Sequence, residues 1–236
     1  MIYLYGKLPA HGDFVARNCA KEIISSWEKW LLPGLDACQQ RWQHSWSDLY
    51  LRSPIWRFAL SANTVFAFPC LGIVMASVDK SGRHFPLTLI LPLDHDVVLF
   101  ECFDQAQSWF EAIEARALYA LQTGKTIDEL ADILAEVEAP TLYLADSFPN
   151  VEALDAPVFN LQTVANSPSS QSGFLLELFL RQHRSNFSLW WTLGSEQYSP
   201  HFLFTEGVPN PFLFSTMMAE AWQLPDKTRE EWREVV

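Results

Sequence analysis

The apolar positions of the chain fall into blocks of different period, and each change of period marks an element. Ile2 to Tyr5 is a short β-rich run closing on Gly6, and a loop carrying Pro9 and Gly12 follows. From Lys21 the period lengthens. Trp27, Leu31, Leu35, Cys38, Trp42 and Trp46 recur three and four residues apart, which predicts a helix with an aromatic stripe turned to a core. Pro33 interrupts that stripe and predicts a kink or restart, because proline removes an amide donor and crowds the preceding turn.

After Tyr50 come three apolar stretches, residues 55–60, 65–78 and 86–93, which predict successive, largely buried strands. The polar segment between the last two, SVDKSGRHFPL at 77–87, predicts a hairpin loop with Ser81 and Gly82 at its tip. Helical spacing returns through Phe103, Ala106, Phe110, Ile113, Ala117 and Leu121, with Gly124 as the C-cap. Thr126 and Glu129 form a capping box that opens a second helix to about Glu138, ahead of Pro140. Residues 157–164 predict a strand, 165–173 a surface loop and 174–183 a helix. Strands are expected again at 187–193 and 201–205, a helix at 211–222, and a charged tail that frays from about Asp226. Helices before, between and after strand runs predict an α/β sandwich with a mixed sheet covered on both faces, in a single domain over 1–236.

Composition narrows the function. With 49% hydrophobic residues and ten tryptophans the chain is expected to fold around a large core. Its formal net charge of −12 argues against nucleic acid and anionic membrane partners, which need clustered Lys and Arg, and favours solubility and basic protein partners. The four cysteines, Cys19, Cys38, Cys70 and Cys102, form no CxxC pair, so they read as reduced core thiols of a cytosolic protein, not as zinc ligands or a redox dithiol. The opening MIYLYGKLP is too short in apolar length for a secretory leader. The longest uncharged apolar run, 65–78, is too short to cross a bilayer and contains Pro69. No membrane insertion is expected.

Two polar, glycine-bearing motifs stand out, GKLPAHGDFV at 6–15 and SVDKSGRHFPL at 77–87. One reading brings them together so that His11, Asp13, Asp79 and His84 act as acid and base, with Lys7 or Arg83 stabilising an anion; the chain would then be a hydrolase or a small-ligand enzyme. The other pairs Asp13 or Asp79 with Arg57 or Arg83 as a fixed ion pair and uses Gly6, Gly12 and Gly82 for turns that side chains would forbid. TGKT at 123–126 lacks the upstream glycine of a phosphate-binding loop, Tyr119 standing in its place, and it follows a helix. Asp94, His95 and Asp96 read as an exposed turn, since neighbouring strand residues point to opposite faces. No GxSxG or HExxH motif occurs, and no cofactor or metal is implied.

The motifs taken together carry a resemblance. GKLPxxGDFV near the N-terminus, WxxWL at 27–31, YLxxPxWRFAL at 50–60, SVDxxGRxFPL at 77–87, WWTLG at 190–194 and GVPNPFLF at 207–214 resemble the TagF family of bacterial type VI secretion accessory proteins. The resemblance implies a three-layer α/β/α fold. It also implies a cytoplasmic, non-enzymatic regulator that holds secretion off after translation by engaging a forkhead-associated (FHA) scaffold protein of the apparatus. It carries over no catalytic residue. The matching positions Gly6, Lys7, Pro9, Gly12, Asp13, Trp56, Arg57, Asp79, Gly82, Arg83 and Pro86 are signature positions.

Overall fold

The structure, a computed structural model, describes residues 1–94, 97–142, 152–153, 159–160, 173, 176–177, 186–195 and 198–219. The elements in chain order are β1 (Tyr3–Gly6), β2 (Val15–Arg17), α1 (Lys21–Trp42), α2 (Trp46–Leu51), β3 (Trp56–Leu60), β4 (Cys70–Met75) and β5 (Leu87–Pro92). There follow α3 (Cys102–Gln105), α4 (Gln107–Thr123), α5 (Ile127–Ala135), β6 (Glu152–Ala153), β7 (Phe159–Asn160), β8 (Phe187–Thr192), β9 (His201–Glu206) and α6 (Pro211–Ala219).

Seven strands form one sheet in the order β2-β1-β5-β4-β3-β8-β9, and every pair in it is antiparallel. The fold is therefore α+β, and the mixed sheet expected from the sequence is corrected. The reason lies in the central strands. Along β3, β4, β5 and β8 nearly every residue is buried, and unbroken apolar runs of this kind are the usual mark of parallel strands under crossover helices. Here successive side chains feed two different cores. Leu71, Ile73, Leu87, Leu89 and Trp191 join α4 and α5 in one cluster. Phe58, Val74, Ile90 and Trp190 join α1 and α6 in the other.

The helices follow their stripes. Trp27, Leu31, Leu35 and Cys38 are buried as the spacing predicts, together with Trp30. The indole N–H groups also find acceptors: Trp27 Nε1 donates to Thr88 Oγ1 at 2.9 Å, Trp30 Nε1 to the Pro209 carbonyl at 2.8 Å and Trp56 Nε1 to the Met217 carbonyl at 3.1 Å. A buried indole needs such a partner. α1 runs through Pro33 without a restart and ends at Gln43, whose φ of 43° breaks the helical path. α4 ends at Gly124 in the left-handed conformation, and α5 opens on the Thr126–Glu129 capping box, both as expected.

Residues 65–69 are not part of β4, which begins at Cys70. The expected strand at 157–164 survives as β7, paired antiparallel with β6, its remainder lying outside the described residues. Nearly all of the expected loop at 165–173 and helix at 174–183, the tail from Asp226, and His95 and Asp96 lie outside them as well. No described helix is long and apolar enough to cross a membrane. Cys38, Cys70 and Cys102 are buried free thiols and Cys19 is half-buried.

Candidate functional site

The two glycine-bearing motifs meet because β1 and β5 are neighbours. Their antiparallel register sets Tyr5 opposite Thr88, so the loop leaving β1 and the hairpin entering β5 stand at the same end of the sheet. Val78 bridges His84 across the hairpin, and the Gly82 N–H donates to the Asp79 carbonyl at 2.8 Å, closing a turn with Lys80 and Ser81 at its centre. Gly82 takes φ +80°, a conformation that favours glycine. Gly6 is required for another reason: a Cβ there would stand 2.1 Å from the Pro86 carbonyl oxygen. Gly12 has neither requirement, since a Cβ would meet nothing within 4 Å. The expectation that all three glycines are obligatory is corrected at Gly12.

Asp79 is the centre of the junction. Its Oδ2 lies 2.9 Å from Lys7 Nζ and 2.7 Å from Arg83 Nε. Its Oδ1 accepts from the backbone amides of Ser81 at 2.9 Å and Arg83 at 3.0 Å. Burial alone would raise its pKa, but the Lys7 ammonium, the Arg83 and Ser81 amides and the Arg83 guanidinium outweigh it and hold the carboxyl well below the ordinary 3.8. Arg83 also donates through Nη2 to the Gly12 carbonyl, and the Lys80 amide donates to the His11 carbonyl at 2.7 Å. Ser77 Oγ donates to the Lys7 carbonyl at 2.6 Å, and the buried Tyr50 hydroxyl both donates to the Ser77 carbonyl and accepts from its amide at 3.0 Å. Each loop therefore satisfies polar groups of the other.

The remaining candidates are spread apart in role. Asp13 is exposed, and its Oδ1 accepts from the Phe14 amide at 2.8 Å. His11 Nε2 accepts from the Ile127 amide at 3.0 Å, capping the first turn of α5. His84 Nε2 lies 2.9 Å from Ser47 Oγ, and burial followed by the Lys7 charge lowers its pKa from 6.5. Arg57 is not a partner of Asp79 or Asp13. It is fully buried on β3 and forms a fork to Glu114 of α4, Nε to Oε1 at 2.6 Å and Nη2 to Oε2 at 2.8 Å, with Nη1 donating to Gln107 Oε1 at 3.2 Å. Trp56 and Pro86 are buried, and Pro9 is half-buried.

Chemically, the junction is a clamp. Both oxygens of Asp79 are held by fixed donors, and the acceptor nitrogen of His11 is engaged on a helix end, so this Asp–His set is not arranged to pass a proton to a substrate. Among the described residues no group of three or more His, Cys, Asp or Glu side chains is placed to hold a metal ion. What the clamp leaves outside is a surface: Gly12, Asp13, Phe14, Lys80, Ser81, Gly82 and Arg83 are all exposed. Sequence reading missed the support beneath it, Tyr50 and Ser77, and missed Glu114 and Gln107 as the partners of Arg57, because those contacts join distant segments and no local spacing announces them.

The crystal structure of PA0076 from Pseudomonas aeruginosa PAO1 is similar to this fold, with a TM-score of 0.78 and 27% sequence identity over 95% of this chain and 97% of that one. No curated protein matches the sequence. The family described as TagF N-terminal domain, type VI secretion system-associated, matches residues 4–137, which takes in β1 through α5 and both clamped loops. The chain belongs to the TagF family of type VI secretion-associated proteins.

Proposed function

We propose that this protein is a cytoplasmic, non-enzymatic regulator that holds type VI secretion off after translation by binding an FHA-domain scaffold of the secretion apparatus. The observation that carries the reading is the family match over both clamped loops, 4–137. Its physical support is the clamp itself. Lys7, Asp79 and Arg83 are spent on fixing two loops to each other, and a rigid loop surface is suited to recognition, since less conformational entropy is lost on binding.

Two further parts of the reading go with it. The whole of 1–236 is taken as one TagF-like domain, in keeping with the match to PA0076 along 95% of the chain. The fold is taken as three layers, in keeping with the separate apolar clusters on the α4–α5 side and the α1–α6 side of the sheet.

The test is genetic and biochemical together. Deletion of the gene is expected to raise release of type VI substrates without changing transcript levels of the apparatus, and the tagged protein is expected to co-purify with the FHA-domain scaffold. Unchanged secretion in the deletion strain, with no apparatus component retained on the tagged protein, overturns the reading.

A further inference from the structure

We propose that Arg41, held against Trp42 and Phe212 at the end of α1, takes the carboxylate of an aspartate or glutamate of the scaffold partner on its open Nε–Nη2 edge. The inference rests on the reading of the chain as a scaffold-binding regulator and adds a contact residue outside the clamped loops.

The guanidinium is set in place by the fold. Its Cζ lies 4.6 Å from the ring centroid of Trp42 and 4.6 Å from that of Phe212, contacts that favour a cation over an aromatic face. Nη1 donates to Ser215 Oγ at 3.0 Å and to Thr216 Oγ1 at 2.9 Å. Both hydroxyls belong to buried residues of α6 and give their own protons to the Phe212 carbonyl, at 2.7 and 3.1 Å, so each is left as an acceptor toward Arg41. The C-terminal turn of α1 also favours a positive charge. Arg41 is therefore oriented without an acid.

Its other edge is open. Among the described residues Nε and Nη2 have no acceptor and no carboxylate pairs with Arg41, and neither nitrogen is shut off from water. The nearby acids do not fill the edge: Asp36 of α1 accepts from Gln40 Nε2 at 2.7 Å, the exposed Asp48 of α2 makes no ion pair with a described residue, and the described part of α6 holds no acid. The ring under the guanidinium has an unmet donor of its own, since Trp42 Nε1 is withdrawn from water with no acceptor. A buried donor left unpaired asks for an explanation, and an incoming carboxylate brings oxygens that such donors lack.

The same fold shows what completes such a site. Arg57 lies 5.3 Å from the Phe110 ring, its Nη1 donates to the neutral oxygen of Gln107, and its Nε and Nη2 fork onto the Glu114 carboxylate. Arg41 repeats the ring contact and the neutral oxygens on Nη1 and stops short of the fork. The paired N–H groups of that edge match the two oxygens of a carboxylate, which makes the choice of ligand one of donor geometry and not of net charge. The site also connects to the clamp. Residues 43–46 alone separate Trp42 from Ser47, whose Oγ lies 2.9 Å from His84 Nε2 in the clamped hairpin.

The experiment titrates the full chain with the purified FHA-domain scaffold at physiological salt, where the −12 of the chain is screened beyond roughly 8 Å. Arg41→Gln and Arg41→Lys are compared with the wild type, the second keeping the charge and the fold while losing the fork. Both are expected to weaken binding by about tenfold or more, with the melting temperature of Arg41→Lys close to that of the wild type. The Arg41→Lys complex is then treated with a water-soluble carbodiimide, which is expected to join the amine at position 41 to an aspartate or glutamate of the scaffold, identified by mass spectrometry. Unchanged affinity in both variants overturns the site and leaves the regulator reading standing. Weakened binding with crosslinks from other lysines only overturns the carboxylate partner. No complex with the wild-type chain overturns the inference and the regulator reading together.

Discussion

Lys7 Nζ stands 2.9 Å from Asp79 Oδ2 with both side chains almost wholly withdrawn from water. Two loops about seventy residues apart in sequence are thus joined by a charge pair that neither could form alone. Replacing Asp79 with asparagine keeps the shape but leaves Lys7 and Arg83 facing a neutral amide, and a buried cation without its counter-charge is costly. Asp79→Asn is expected to lower the melting temperature clearly more than Asp13→Asn, whose carboxylate is exposed. Parallel thermal melts followed by circular dichroism decide it; equal effects of the two variants would show that the clamp contributes nothing to the fold.

The same carboxylate sets an acid limit. Its folded pKa is depressed below 3.8, so its contribution is fully present above the ordinary carboxylate range and is lost as the pH falls below it. The melting temperature of the wild type is therefore expected to drop more steeply than that of Asp79→Asn between about pH 4 and pH 2, the two curves drawing together at the acid end. Melts across that range check the sign; curves that stay parallel would be the contrary result.

Gly6 and Gly12 belong to one motif and make opposite predictions. A methyl group at Gly6 overlaps the Pro86 carbonyl, backbone against backbone, at a φ of +142° that side chains rarely adopt. Gly6→Ala is expected to cost about 4 kcal/mol or more, and Gly12→Ala to stay within about 0.5 kcal/mol. Urea unfolding of the two variants provides the comparison.

Much of this architecture could be read before any coordinates. The αL cap at Gly124, the Thr126–Glu129 box, the aromatic stripe of α1 and the hairpin at 77–87 all rest on local rules of spacing and turn chemistry, and local rules are visible in one sequence. Strand direction was not legible. A strand buried on both faces has the same composition whether its neighbours run with it or against it, and β4 and β5 look alike in either case. The site was half legible for a related reason. Arg83 lies four residues from Asp79, so their pairing follows from the turn. The assignment of Arg57 to Glu114, and of His11 to the end of α5, depends on how helices α4 and α5 cross the sheet. β2 escaped notice because three residues, of which only Val15 is buried, carry no period at all.

Arg57 supplies a test of packing in place of function. Its guanidinium is inside the α4 face of the sheet, forked to Glu114 and lying 5.3 Å from the Phe110 ring. Arg57→Met fills much of the same volume but abandons Glu114 and Gln107 in a largely dry interface, at a cost of about 3 kcal/mol. For a chain of this size that corresponds to a fall of roughly 6–12 °C in Tm. The double variant Arg57→Met, Glu114→Leu is expected to recover most of the loss, because removing both charges leaves no orphan. A double variant no more stable than the single one would mean that the fork itself, not the orphaned carboxylate, carries the energy.

The N-terminus of α5 is capped from two directions. Thr126 Oγ1 accepts from the Glu129 amide at 3.3 Å, while the Ile127 amide is taken by His11 Nε2 at 3.0 Å. The first cap is local and the second is tertiary, tying the loop after β1 to the helix. Loss of a side-chain cap costs about 1 kcal/mol, so Thr126→Ala and His11→Ala are each expected to lower Tm by roughly 2–4 °C. They should differ in what loosens. Thr126→Ala frays the first turn of α5, whereas His11→Ala also frees the loop that carries Asp13 and Phe14. Amide exchange at residues 12–14 is therefore expected to quicken in His11→Ala and to stay unchanged in Thr126→Ala. Faster exchange of that loop in both variants, or in neither, would show that His11 does not couple the candidate interaction surface to the helix beneath it.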